Sequence, residues 1–301
     1  RISRIQSPSG IFSLPLPDNS TWDLASAAGG VLEAGEKAAR LRMQAFLDSG
    51  LARYGAMRNL PSGRTTSRLS QDLRFGLISI RELHRATLDK METLDAAGRA
   101  SAATYVSELV WREFYMQVLW NFPAVLEEEF NAKYRGMVWP GKKENFQRWC
   151  DGETGFPIVD AAMRELRETG FMHNRTRMIA AMFLTKDLHL DWRMGEMWFM
   201  QTLADGEIAS NNGGWQWSAG TGADAAPYFR IQNPWSQTKR FDPDGTYIKT
   251  WVPELRNVDV AKLMDPPAPG MRLAPGYPSP IVDHSVARDI TLDLFKSAAA
   301  R

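Results

Sequence analysis

Apolar positions in this chain recur three and four residues apart over most of its length, the spacing that gathers them on one face of an α-helix. Ala38, Leu41 and Ala45 carry the pattern from Gly35 onward, and Gly50 reads as its stop signal. A longer helix is predicted over Ser101–Phe122, dense in aromatics and closed by Pro123. Pro157 suits the first turn of a helix that runs through Ala162 and Leu166 and stops near Gly170. Residues 176–190 contain Met178-Ile179-Ala180-Ala181-Met182-Phe183-Leu184, apolar on every side, which predicts a helix buried at the centre. Further helices are expected over roughly 194–204 and 285–299. No run alternates as a strand would, and no glycine-rich phosphate loop follows a strand. The pattern predicts a mainly α fold with long polar loops.

Outside these segments the periodicity fails. Residues 1–34 read as an interdomain linker, because Pro8, Pro15 and Pro17 break helices and Gly29-Gly30 adds freedom. Residues 35–301 would then form one helical domain, with an irregular stretch at 265–282 that holds six prolines.

Composition narrows the picture only in places. The chain of 301 residues can bury a substantial core as one domain or two. No run of about 18 uncharged apolar residues occurs, so no membrane span is expected. The lone Cys150 excludes an internal disulfide, suits a reducing cytoplasm, and is read as a structural thiol. A net charge of +1 means that any phosphate-binding surface must be local. His84, His173, His189 and His284 lack metal-ligand spacing, so no metal is predicted. Eleven Trp and fourteen Phe suit an aromatic core, and equally a stacked cofactor or a redox chain.

The segment from Asp205 to Gly222 is the most unusual. It joins two acidic residues, adjacent Asn211-Asn212, five glycines and the pair Trp215 and Trp217. Read as a loop between helices, it would let backbone approach a flat ligand closely. A structural loop with buried Trp anchors is the plainer alternative.

From Asp205-Gly206-Glu207 to Tyr228-Phe229-Arg230-Ile231-Gln232-Asn233-Pro234, the chain resembles the flavin-proximal segment of the photolyase and cryptochrome family. The resemblance extends to Thr66–Ser70, Glu108–Tyr115, Gly155–Met163 and Met172–Met178, and covers nearly everything after residue 35. It implies the family's helical FAD-binding domain, similar to that of class I cyclobutane pyrimidine dimer photolyases. The family's N-terminal α/β antenna domain has no counterpart here, and no antenna chromophore is expected in this fragment.

The resemblance also implies site residues. Tyr54, Thr66, Ser67, Arg68, Leu69 and Ser70 would surround the FAD pyrophosphate, with Tyr105, Asn174, Gly206 and Glu207 completing the cofactor site. Arg112 and Arg177 would bring positive charge near the isoalloxazine, Asp205 would pair with Arg177, and Asn211 would face flavin N5. Trp215, Trp192 and Trp139 match an electron-transfer relay from flavin to surface. Trp111 and Trp217 would wall a flipped-out dimer, Glu108 would hydrogen-bond a base carbonyl, and Tyr115, Asn174 and Met178 would line the same pocket. Arg58, Arg175 and Gln237 match positions that touch DNA backbone phosphates. Taken singly, Thr66-Ser67 could be a helix cap, each Trp a core anchor and each Arg half of an ion pair.

Within the family, Asn174, Met178 and Trp217 favour the cyclobutane enzyme over (6-4) photolyases, which carry His at the first two positions. They also disfavour DASH-type cryptochromes. Tyr105 and Phe171 stand where relatives often have Trp, and Glu207 where many have Asp. The implied activity is light-driven repair of cyclobutane dimers in UV-damaged DNA, by electron transfer from excited reduced FAD to the flipped dimer. The partner would be UV-damaged DNA, and a monomer is the family expectation. The alternatives are a cryptochrome-like flavin photoreceptor without repair, and a light-independent nucleic-acid-binding remnant.

Overall fold

A computed structural model describes residues 32–63, 65–223 and 230–299. Nearly all of the predicted linker, together with Tyr228-Phe229 of the flavin-proximal motif, lies outside the described residues. Among the described residues there is no strand, as the periodicity predicted.

The N-terminal half contains α1 (Glu36–Ala45), α2 (Tyr54–Met57), α3 (Ser70–Arg74), α4 (Ile80–Glu92) and α5 (Ala96–Asn121). After a largely irregular stretch come α6 (Glu144–Asp151), α7 (Pro157–Thr169), α8 (Asn174–Met182), α9 (Trp192–Thr202) and α10 (Ile208–Ala219). The chain closes with α11 (Pro234–Phe241), α12 (Thr246–Trp251), α13 (Val260–Leu263) and α14 (His284–Ala299).

Four sequence expectations are corrected. Gly50 does not stop the first helix: a π-helical turn, Phe46–Gly50, carries the chain into a 3-10 turn and α2. A Cβ on Gly50 would stand 2.6 Å from the Phe46 ring, so this glycine serves close packing rather than termination. Helix α5 begins earlier than Ser101, because the Asp95 carboxylate accepts the Gly98 N–H at 2.7 Å and caps the end. The buried helix over 176–190 is divided: α8 ends at Met182 and a fully buried π-helical turn, Phe183–Asp187, follows.

The largest correction concerns Asp205–Gly222. Its middle is helix α10, capped by Glu207 and closed by Gly220 with a left-handed φ of 83°. Gly213 costs helix propensity, yet a Cβ there would lie 2.0 Å from the Tyr115 ring on α5. Close approach of two helices outweighs the local preference. By contrast, α7 begins at Pro157 and ends at Gly170, φ 65°, as its punctuation indicated.

Two main apolar cores result among the described residues, with a small third cluster around Met137 and Phe295. One, around Phe46, Leu69, Tyr105 and Leu109, is built by the N-terminal helices. The other, larger, runs through Trp149, Phe156, Trp192, Trp215 and Tyr277. Cys150 is buried beside Trp149 as a structural thiol, its pKa pushed up to about 12 by burial and then by Asp151. No helix among the described residues is long and apolar enough to cross a membrane.

Candidate functional site

Residues of both cores line a cavity of about 690 Å³, into which α2, α3, α5, α8 and α10 all contribute. Its size suits a large organic ligand.

One wall is the segment Thr66–Leu69 with Ser70 at the start of α3. Arg68 adopts a left-handed φ of 53°, uncommon for a residue with a side chain. Its guanidinium lies 3.5 Å from the Phe171 ring centroid, and Arg177 approaches that ring at 5.6 Å. Tyr105, hydrogen-bonded with Ser67, is pushed up to about 12 by burial, which keeps the phenol protonated. Tyr54 packs edge-on against Phe46 and Tyr105, at 5.9 and 5.1 Å between ring centroids.

A second set of lining residues lies at and just before the starts of α8 and α10. His173 caps α8, its Nδ1 accepting the Arg175 N–H at 3.1 Å. Burial, reinforced by Arg177, Arg175 and Arg68, pushes His173 down to about 4, so the imidazole is neutral. Arg177 donates to both Asp205 oxygens, at 2.9 and 2.8 Å, and through Nε to the Met172 carbonyl at 2.8 Å. Burial pushes the Asp205 carboxyl up, but Arg177 and a Ser70 hydrogen bond outweigh it and hold the group below its usual range. Glu207 accepts the Ala209 and Ser210 N–H groups at 3.0 and 2.8 Å, and is likewise held low against burial.

Charge is concentrated here. Seven arginines (58, 68, 74, 112, 175, 177 and 230) face three carboxylates, Glu108, Asp205 and Glu207. A chain with a net charge of +1 therefore carries a local excess of four positive charges around one cavity. Arg112 is tied to Glu113 at 2.7 Å.

At the mouth, Trp111 is half exposed and stacks on Tyr115, 6.0 Å between centroids at 29°. Trp217 stands under the Arg230 guanidinium, 5.3 Å from its centroid. Glu108 is ion-paired with Arg58. Arg175 donates to Asn59 Oδ1 at 2.7 Å and lies 4.4 Å over Phe241. Asn174 and Arg175 both direct N–H groups toward the Met178 sulfur, at 3.9 and 3.6 Å.

Of the predicted cofactor and DNA residues, Gly206, Asn211 and Gln237 do not line this cavity. The Gly206 carbonyl instead accepts the Arg74 Nε–H at 2.6 Å. Asn211 follows the lining residue Ser210 and donates through Nδ2 to the Glu196 carbonyl at 3.0 Å, leaving Oδ1 as an acceptor. Gln237 is half-buried on α11. Trp215 and Trp192 are buried in the larger core, and Trp139 packs at its edge and against the Met137–Phe295 cluster. Sequence reading did not assign Asn59, Leu73, Arg74, Phe171, His173 or Arg230 to the site. His173 and Arg230 lie within the motifs quoted above and Phe171 beside one, whereas the side chains of Asn59, Leu73 and Arg74 meet the cavity only through tertiary packing. Among the described residues no group of three or more His, Cys, Asp or Glu could hold a metal ion.

The family model for the FAD binding domain of DNA photolyase matches residues 105–297. The chain is 45% identical over 290 residues to a deoxyribodipyrimidine photo-lyase of Halobacterium salinarum, covering 94% of this chain and 60% of that protein. It is 44% identical over 269 residues to the Escherichia coli protein of the same name, with 87% and 56% covered. A bacterial class III photolyase from Agrobacterium tumefaciens superposes with a TM-score of 0.88 at 36% identity, over 99% of this chain and 64% of that one. A Synechocystis cryptochrome gives 0.84 at 31% identity, with 96% and 62% covered. The chain thus spans roughly half to three fifths of the length of the curated relatives it matches.

Proposed function

This chain belongs to the family of the FAD-binding domain of DNA photolyase, and from that premise we propose that residues 35–301 form the catalytic part of an enzyme that splits cyclobutane pyrimidine dimers in UV-damaged DNA under light. The observation that carries the reading is the arginine-rich cavity, which combines a polar, hydroxyl-lined interior with an aromatic mouth.

FAD fits the residues present. A pyrophosphate needs positive charge and hydrogen-bond donors, and the Thr66–Ser70 segment with Arg68 supplies both. Arg177, neutralised on one side by Asp205, keeps donors for an anionic ring without becoming a buried lone charge. Asn211, next to the lining residue Ser210, has an amide oxygen that would accept a hydrogen bond from a flavin N–H while one of its two Nδ2 hydrogens is held by the Glu196 carbonyl. When bound and reduced, FAD supplies a light-driven one-electron donor.

The remaining work falls to the chain itself. Trp111 and Trp217 offer apolar faces that would hold two fused bases out of the helix and exclude water. Glu108 would orient a base carbonyl, and Arg58, its present partner, would turn to a phosphate when DNA binds. Arg175 and Arg230 extend the positive rim along the backbone. Trp139, Trp192 and Trp215 form a proposed path of oxidisable indoles from the surface into the larger core. Asn174, Met178 and Trp217 favour the cyclobutane lesion, which asks for no histidine proton transfer at the mouth.

Trp217→Ala tests the site. The variant should keep bound FAD and lose about tenfold or more in affinity for an oligothymidylate carrying a dimer, since each stacked base contributes about 1–3 kcal/mol. Unchanged preference for the damaged strand would contradict the assignment of the mouth.

A further inference from the structure

Three indoles stand in the proposed relay, and their N–H groups are treated differently. Nε1 of Trp215 and of Trp139 is buried without a hydrogen-bond partner among the described residues. Trp192, fully buried at the start of α9, donates its Nε1–H to Glu129 Oε1 at 3.2 Å. Trp149, in the same core, shows a plainer arrangement: its Nε1–H goes to the Ala180 main-chain carbonyl at 3.1 Å. A peptide carbonyl satisfies a donor but takes no proton near neutrality, whereas a carboxylate can do both.

Glu129 is 3% exposed, and burying a carboxylate is costly unless it is paired. Arg193 supplies the pair, its Nη2 donating to the same Oε1 at 3.1 Å. Asp191 holds that guanidinium at 3.1 Å, and the Glu127 carbonyl accepts from it at 2.8 and 2.6 Å. Arg135 Nε donates to the Glu129 main-chain carbonyl at 3.1 Å and fixes the backbone behind the carboxylate. The Arg193 guanidinium also lies 4.6 Å from the Trp192 ring centroid. A cation therefore faces the ring, and a carboxylate faces its N–H.

Both contacts push an oxidised Trp192 the same way. Loss of one electron turns an indole into a radical cation with a strongly acidic N–H. A guanidinium against the ring disfavours positive charge there, and a carboxylate on Nε1 can take the proton and leave the ring neutral.

We propose that Glu129 is the proton acceptor of the relay. When Trp192 gives an electron to an oxidised Trp215, its Nε1–H bond breaks and an O–H bond forms on Glu129 Oε1. A neutral indole radical remains beside a neutral carboxylic acid. A light-excited oxidised flavin is the one-electron oxidant that starts the sequence, and return of one electron and of the proton restores both residues. Proton loss holds the oxidised site at Trp192 and slows the return of charge. Trp215 and Trp139, whose Nε1 has no acceptor among the described residues, would carry charge only as radical cations. The proposal rests on the reading of Trp215, Trp192 and Trp139 as a relay from the flavin.

The test uses the full chain loaded with oxidised FAD, as wild type, Glu129→Gln, Trp192→Phe and Trp139→Phe. Laser-flash absorption separates the neutral from the protonated tryptophan radical. In wild type the neutral radical should form, more slowly in heavy water than in light water. Glu129→Gln keeps an acceptor for the N–H but no base. It should retain FAD, hold the radical in its protonated form and shorten the radical lifetime about tenfold, as a charge-assisted hydrogen bond gives way to a neutral one. In the dark, the proton NMR signal of the Trp192 indole N–H, identified by its loss in Trp192→Phe, should move upfield in Glu129→Gln. A neutral radical of unchanged lifetime in Glu129→Gln, or an unmoved indole signal, would overturn the proposal while leaving the relay standing. If Glu129→Gln does not hold FAD, Trp139→Phe decides: a neutral radical that still forms supports proton loss at Trp192, and one that vanishes rejects it. An undiminished radical yield in Trp192→Phe would instead sink the relay reading itself.

Discussion

At Asp205 two forces act on one carboxyl. Burial raises its pKa, and the doubly bonded Arg177 together with Ser70 lowers it by more. A depressed folded pKa contributes stability that is fully present above the unfolded value, near 3.8, and is lost as pH falls through the folded value. Asp205→Asn should cost about 3 kcal/mol by leaving Arg177 without its counter-charge, and should remove part of the acid-limb loss of stability. Thermal melts between pH 3 and pH 7 check both effects; an unchanged melting temperature at pH 7 would deny the pair its role. The pair was legible in the sequence only through the family motif, because 27 intervening residues hide a contact that needs α8 and α10 side by side. The tie between Arg58 and Glu108 was hidden for the same reason: each was assigned to DNA, and the structure pairs them with each other.

Among the elements, α10 is the instructive one. Its two glycines and two asparagines argued for a loop, and local propensity was overridden by packing. Gly213 lets Tyr115 lie against the helix, and Gly195 on α9 does the same for Trp215, where a Cβ would stand 2.0 Å from the indole. Gly213→Ala removes a propensity penalty yet should destabilise by about 2 kcal/mol, because the Tyr115 ring must move. It should also weaken FAD retention, which equilibrium dialysis would show; a gain in stability would mean that propensity, not contact, governs the position. Helices with clear punctuation, such as α7 between Pro157 and Gly170, were readable directly. The π-helical turns were not, since no sequence pattern separates them from ordinary helix.

Over the whole molecule, a nearly neutral chain encloses one strongly positive cavity, with its balancing carboxylates placed elsewhere. The mainly helical architecture followed from periodicity alone. The enclosure of the cavity by both cores did not, because it depends on which helix faces meet. DNA affinity should fall steeply with salt, and Arg175→Ala should lower the slope of log K against log salt by about 1 on damaged and undamaged strands alike. An unaltered slope would place Arg175 off the phosphate path.

The most direct measurement is illumination of the reduced, FAD-loaded protein with oligothymidylate carrying cyclobutane dimers, following the return of thymine absorbance. Recovery in light and none in the dark is the predicted result. Bound flavin and bound DNA with no recovery under light would contradict the repair activity and leave a photoreceptor in its place.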